Sequence, residues 1–273
     1  MRLPLLLLAS SIAGATAWGH DLYLMPQKFH AAVGESILLS THTGDSFPQS
    51  EQGVDPLRLS SLPALPEGSW RILGKATHAT VPLKTAGAHS FAVWTKPRLL
   101  TLEAAKFESY LKEEGLRAPM EFRQNNGETT KMGREMYAKF AKTFVMVGEE
   151  GGDFKQPLGL KIEFVPQSNP ASLKPGDELP VQVLYNGTPL ADVQVELAFS
   201  SSPVAKGQHS ILGRTDKTGM IKARIPAAGR VRLHCVQMER VAANTHDWES
   251  FWASFTFEVK GTTAEASGLS AGR

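Results

Sequence analysis

From His20 to about Lys96, apolar and polar residues alternate in short runs: His20–Leu24, Glu35–His42, Trp70–Leu73, Thr77–Leu83 and His89–Lys96. Gly34, Gly44, Gly68, Gly74 and Gly87 punctuate them. A period of two bounded by turn residues predicts antiparallel strands, and hence an N-terminal β domain of sandwich type. The pattern then changes. Leu102, Ala105, Phe107, Tyr110 and Leu111 recur at helical spacing, with Thr101 as N-cap and Gly115 as the stop, so Leu102–Glu114 is predicted to be an amphipathic helix. A second helix is predicted over about Thr130–Lys142, with Met132, Met136, Phe140 and Ala141 on its inner side and Lys, Arg and Glu outside. The methionines are read as core packing rather than as a soft metal site.

Beyond Pro157 the period of two returns in seven segments: Leu160–Val165, Leu179–Tyr185, Val193–Phe199, Ser210–Arg214, Met220–Ile225, Val231–Met238 and Phe251–Val259. Asn186-Gly187 and Thr215–Gly219 are turn signals between them. Seven short strands at this spacing predict an immunoglobulin-like or transthyretin-like sandwich. In the last one, Phe251, Ala253, Phe255, Phe257 and Val259 share a face. The expected fold class is therefore mostly β: two β-sandwich domains, 20–156 and 157–260, with a helical insert at about 102–142 in the first. The stretch 261–273 reads as a disordered tail.

The amino end adds a compartment. Arg2, the apolar run from Leu5 through Ile12 and the small-x-small triplet Ala15-Thr16-Ala17 form a secretory leader, ending at Ala17 or Gly19. A periplasmic or secreted protein is expected, and no later run is long or apolar enough to span a membrane. The lone Cys235 excludes an internal disulfide, so burial alone must hold the fold. Twenty-nine Lys and Arg against 27 Asp and Glu, interspersed, give a net charge of +2 and no nucleic-acid footprint.

Catalytic signatures are missing. There is no phosphate loop, dinucleotide fingerprint, His-Glu-x-x-His or Cys-x-x-Cys. Gly268-Leu269-Ser270-Ala271-Gly272 fits the nucleophile-elbow pattern but lacks a strand before it and a helix after it. No enzymatic role is expected.

Cleavage of the leader, by contrast, exposes chelating chemistry. A chain opening Trp18-Gly19-His20 offers an amine, two backbone amides and an imidazole to a square-planar Cu(II) or Ni(II). A chain opening at His20 offers its amine and its own Nδ1 to one ion. If the first strand pairs antiparallel with Glu35–His42, His42 is expected to face His20, and Asp45 to orient an imidazole from behind. His246, beside Asp247 in a loop, is the third candidate metal residue. His30, His78, His89, His209 and His234 read as loop, strand-end or half-exposed positions.

The chain also resembles the periplasmic proteins catalogued as the periplasmic component of ABC-type cobalt or nickel transport. The resemblance is carried by His20–Leu24, Gly44–Pro48, Lys106–Leu116, Gly133–Lys142, Pro157–Pro166, Pro175–Leu190 and Asp247–Glu258. It implies a two-domain β protein with a helical insert that binds nickel, cobalt or copper and has an inner-membrane transporter as partner. Two departures stand out: Trp18-Gly19 precedes the first histidine, and Gln237-Met238 stands where a His-Met pair is common in similar proteins. Two rival functions remain at this level. One is a structural or adhesion module binding a protein or cell-wall partner; the other is an oxidative copper enzyme built on an N-terminal histidine.

Overall fold

The computed structural model describes residues 20–62, 69–149, 151–200 and 210–261. The expected leader, His209 and nearly all of the expected tail, with its elbow-like Gly268–Gly272 run, lie outside them. Eight strands come first: β1 (Asp21–Pro26), β2 (His30–Ala31), β3 (Ser36–Gly44), β4 (Leu59–Leu62), β5 (Arg71–Leu73), β6 (Ala76–Pro82), β7 (Gly87–Thr95) and β8 (Arg98–Leu102). Helices α1 (Ala104–Glu113) and α2 (Arg117–Asn125) lead into the long strand β9 (Gly133–Val147). Then follow β10 (Ile162–Pro166), β11 (Glu178–Tyr185), β12 (Thr188–Pro189) and β13 (Gln194–Phe199). The last four are β14 (Ser210–Arg214), β15 (Met220–Arg224), β16 (Gly229–Arg240) and β17 (Trp248–Val259). The protein is mostly β, as expected, and all seven C-terminal segments are strands.

Three sheets form three layers. The central one has the order β14-β13-β16-β17-β9-β7-β4, with β2 and β8 also paired to β9. On one face lies the sheet β1-β3-β6-β5, and on the other the sheet of β10, β11, β12 and β15. Alternation along β9 divides its side chains between these layers. Ala138, Phe140, Phe144 and Met146 join the core shared with β10, β11 and β15. Ala141, Val145 and Val147 join the core shared with β1, β3 and β6. The two sandwiches thus share their middle layer: β17 pairs in parallel with β9, across the boundary expected near Pro157.

The helical insert requires a correction. Only the first predicted helix is present, α1; α2 was not anticipated, and Thr130–Lys142 lies largely in β9. That strand is buried on both faces, so it shows no polar alternation, and in sequence its lysines have the pattern of a solvated helix face. Lys139 and Lys142 are in fact buried. Pro97, which has no N–H to donate, falls in the break between β7 and β8, which run consecutively along one edge of β9.

Gly133 opens β9 directly under α1. A Cβ there would lie 2.1 Å from Cγ of Phe107, a ring with no exposed surface and the Arg123 guanidinium 4.9 Å from its centroid. Since neither the ring nor the cation has room to retreat, Gly133→Ala is expected to destabilise the protein by about 1–3 kcal/mol. A urea midpoint equal to that of the wild type would show that α1 shifts freely.

Candidate metal site and cavity

The site grows out of the β1–β3 hairpin. Antiparallel register sets Asp21 opposite Gly44 and Leu22 opposite Thr43, so the residue before β1 meets the residue after β3. His20 therefore lies beside Asp45, and its Nδ1 is 2.9 Å from Asp45 Oδ1. The chain then doubles back, with Glu51 N–H donating to the Thr43 carbonyl at 2.8 Å. Gly44 permits that approach: a Cβ there would stand 3.0 Å from both the Gln49 carbonyl oxygen and Glu51 Cγ. Glu51 Oε2 consequently comes to 3.5 Å from the same imidazole nitrogen. One ligand atom each from His20, Asp45 and Glu51 lies within 4.8 Å of the others, and all three residues are partly exposed. A cation at this point would replace the hydrogen that His20 and Asp45 share.

Two further layers hold His20 in place. Its carbonyl accepts from Lys139 Nζ, which lies 4.6 Å from the centre of the Trp252 ring. Burial pulls Lys139 down to about 8, against the charges of Asp21, Glu114, Glu135 and Asp45. Next to His20, Asp21 is buried, with Arg232 Nη1 at 2.7 Å and His234 Nδ1 at 3.1 Å. The other ring nitrogen of His234 is 3.1 Å from Glu114, just past the end of α1. Burial alone would lower His234, but Asp21, Glu114 and Glu196 outweigh it and hold the imidazolium up to about 9. Arg232 itself packs against two aromatic rings, 5.5 Å from Tyr23 and 5.7 Å from Phe47.

The other histidines fall elsewhere. His42 pairs with Tyr23 rather than with the residue before β1, and its ring packs 5.3 Å from the Tyr23 ring. Leu22 and Leu24 point to the inner core while Tyr23 and Met25 point to the opposite side, so His20 and His42 belong to opposite faces of the hairpin. Burial, with help from His78 and Arg230, pushes His42 down to about 4. His246 is buried before β17, held by Thr245 at 2.9 Å and Glu249 at 3.3 Å, and does not join the cluster. His234 is fully buried rather than half exposed. Glu51, Asp21, Lys139 and Glu135 were not anticipated; apart from the adjacency of Asp21 to His20, no local pattern marks them.

Beneath His20 opens a cavity of about 530 Å³, whose wall includes Glu135, Tyr137, Lys139 and Trp252, with the half-buried Arg58 and the exposed Arg98 also lining it. No helix among the described residues is long and apolar enough to cross a membrane.

Fold and site together define a three-layer β protein carrying an open His-carboxylate cluster where its first strand begins. The chain belongs to the family described as a domain of unknown function, DUF4198, whose model matches residues 17–239. No curated protein matches. Among solved structures, the chain is similar to the D0-D1 domain of Intimin at 14% identity, covering 86% of this chain and 96% of that one, with a TM-score of 0.21. It is also similar to the Escherichia coli adhesin FdeC (16% identity, 89% and 65% covered, TM-score 0.22). A Salmonella alpha-2-macroglobulin follows (13%, 93% and 16%, TM-score 0.21), so the chain spans only a small part of that protein. At such TM-scores these likenesses carry no argument about what this chain does.

Proposed function

We propose that this chain is an exported, non-catalytic binding protein for a divalent transition-metal cation, nickel, cobalt or copper, which it presents to a transporter in the inner membrane. The observation that carries the reading is the convergence of His20, Asp45 and Glu51 at the start of β1. One imidazole nitrogen and two carboxylate oxygens are borderline-to-hard donors, suited to these ions, and there is no thiolate or thioether among them to select Cu(I). Leader removal after Gly19 would add the His20 amine to the set. The partial exposure of all three residues leaves the ion reachable by a second protein, as delivery requires.

The test begins with an intact mass of the exported protein, which fixes its first residue, followed by calorimetric titration with Ni(II), Co(II) and Cu(II). One equivalent of ion should bind. His20→Ala should remove that binding, and Asp45→Asn should weaken it by about 10- to 100-fold. Affinity should fall as the pH is lowered, because protons compete for the same imidazole and carboxylates. Undiminished binding by His20→Ala, or no uptake by the correctly processed wild type, would rule the site out.

A further inference from the structure

The cavity below His20 has a second chemistry that the metal cluster does not use. Glu135, on β9, is 1% exposed. Its Oε1 accepts from the Ser250 hydroxyl and, at 3.2 Å, from Tyr110, but its Oε2 has no hydrogen-bond partner. A buried carboxylate oxygen left without a donor is costly, and among the described residues none supplies one. Burial pushes the Glu135 carboxyl up to about 7, the mark of an acid whose charged form lacks a full set of partners.

Four residues along the same strand face stands Lys139, whose ammonium donates to the His20 carbonyl. Arg58 and Arg98 also line the cavity, and Arg98 is exposed. The wall is therefore bipolar, with an acid at one place and cations at another. Trp252 and Tyr137 lie in the same wall. At about 3.3 Å per residue the backbones of Glu135 and Lys139 are roughly 13 Å apart, and both side chains shorten that gap. A ligand with its charges at its two ends suits two groups rooted that far apart better than one that carries both on a single carbon atom.

We propose that this cavity binds a small amphoteric molecule with an ammonium and a carboxylate at opposite ends, a short peptide being the simplest, the ammonium on Glu135 and the carboxylate on Lys139. The ligand's N–H groups would satisfy Glu135 Oε2, and its carboxylate would take up donors of the Lys139 ammonium. The aromatic walls would cover its backbone.

Titration calorimetry with glycylglycine, in EDTA so that no metal contributes, tests this on the wild-type protein. Glycylglycine is expected to bind, and N-acetylglycylglycine and glycylglycine amide, each lacking one charge, at least about tenfold more weakly. Glycine, with both charges on one carbon, should also bind more weakly. Glu135→Gln, checked for folding by circular dichroism, should weaken glycylglycine about as much as acetylation does and make acetylation itself neutral. Equal binding of the blocked and unblocked peptides, or no binding of glycylglycine at tens of millimolar, would overturn the proposal whether or not the variant folds. Because the chelator is present throughout, neither result bears on the metal cluster.

Discussion

Replacing Lys142 by Met is expected to destabilise the protein by about 3 kcal/mol, and replacing Glu163 by Leu by about 5 kcal/mol. Both side chains are 1% exposed and their charged atoms are 3.1 Å apart, joining β9 to β10 through the core between two sheets. Burial drives Lys142 downward, and Glu163 is what opposes it. The asymmetry comes from the backbone. Glu163 also accepts from the N–H groups of Leu158 at 3.0 Å and Gly159 at 2.9 Å. Losing Lys142 leaves the carboxylate with two donors, whereas losing Glu163 strands an ammonium and two amides together, each unsatisfied amide adding about 1–3 kcal/mol. The double variant should therefore be more stable than the sum of the single losses implies, yet still below wild type because the amides remain unanswered. Urea denaturation of the four proteins measures this. Strict additivity would show that the two charges do not sense one another.

The second large effect concerns His234. His234→Leu removes the cation between Asp21 and Glu114, and even with Arg232 still beside Asp21 the expected loss is about 3 kcal/mol below neutral pH. The imidazole titrates higher in the folded protein than in the unfolded chain, at about 9 against 6.5. Its contribution is therefore complete below about pH 6.5 and disappears as the pH rises through about 9. The charged groups that act on it are Asp21, Glu114 and Glu196 from three different elements, with Arg232 opposing them through Asp21. Wild-type stability should fall by about 3 kcal/mol from pH 6 to pH 9.5 relative to His234→Leu, the two converging at the alkaline end. A gap between the proteins that stays constant over this range would mean that the histidine is buried neutral. The consequence reaches the site: Asp21 adjoins His20, so loosening it should weaken metal uptake by a protein that still folds.

Much of the architecture is written locally. The turn glycines and the period of two mark β1, β3, β5, β6 and β7, and the seven C-terminal segments, to within a few residues, while the short strands β2 and β4 and the strand β8 carry no such mark. Phe251, Ala253, Phe255, Phe257 and Val259 all face the core shared with β10 and β11. Leu102–Glu114 marks α1. These features depend on neighbours in sequence, where side-chain period and turn conformation act directly. The hairpin likewise foretells that the residue after β3 approaches the residue before β1, which is how Asp45 comes beside His20.

What the tertiary structure alone decides is everything that needs a partner from far along the chain. β9 looks helical because Lys139 and Lys142 are charged, and only Glu163, Trp252 and the His20 carbonyl explain how lysines can sit inside a central strand. Strand direction alone brings His42 toward His20, but the pleat, which alternates faces at every residue, turns it toward Tyr23. Glu51 returns to His20 through a loop whose path depends on the missing side chain of Gly44. Pattern records which residues prefer to be inside; which charges may join them is settled by the ion pairs and hydrogen bonds that distant segments bring.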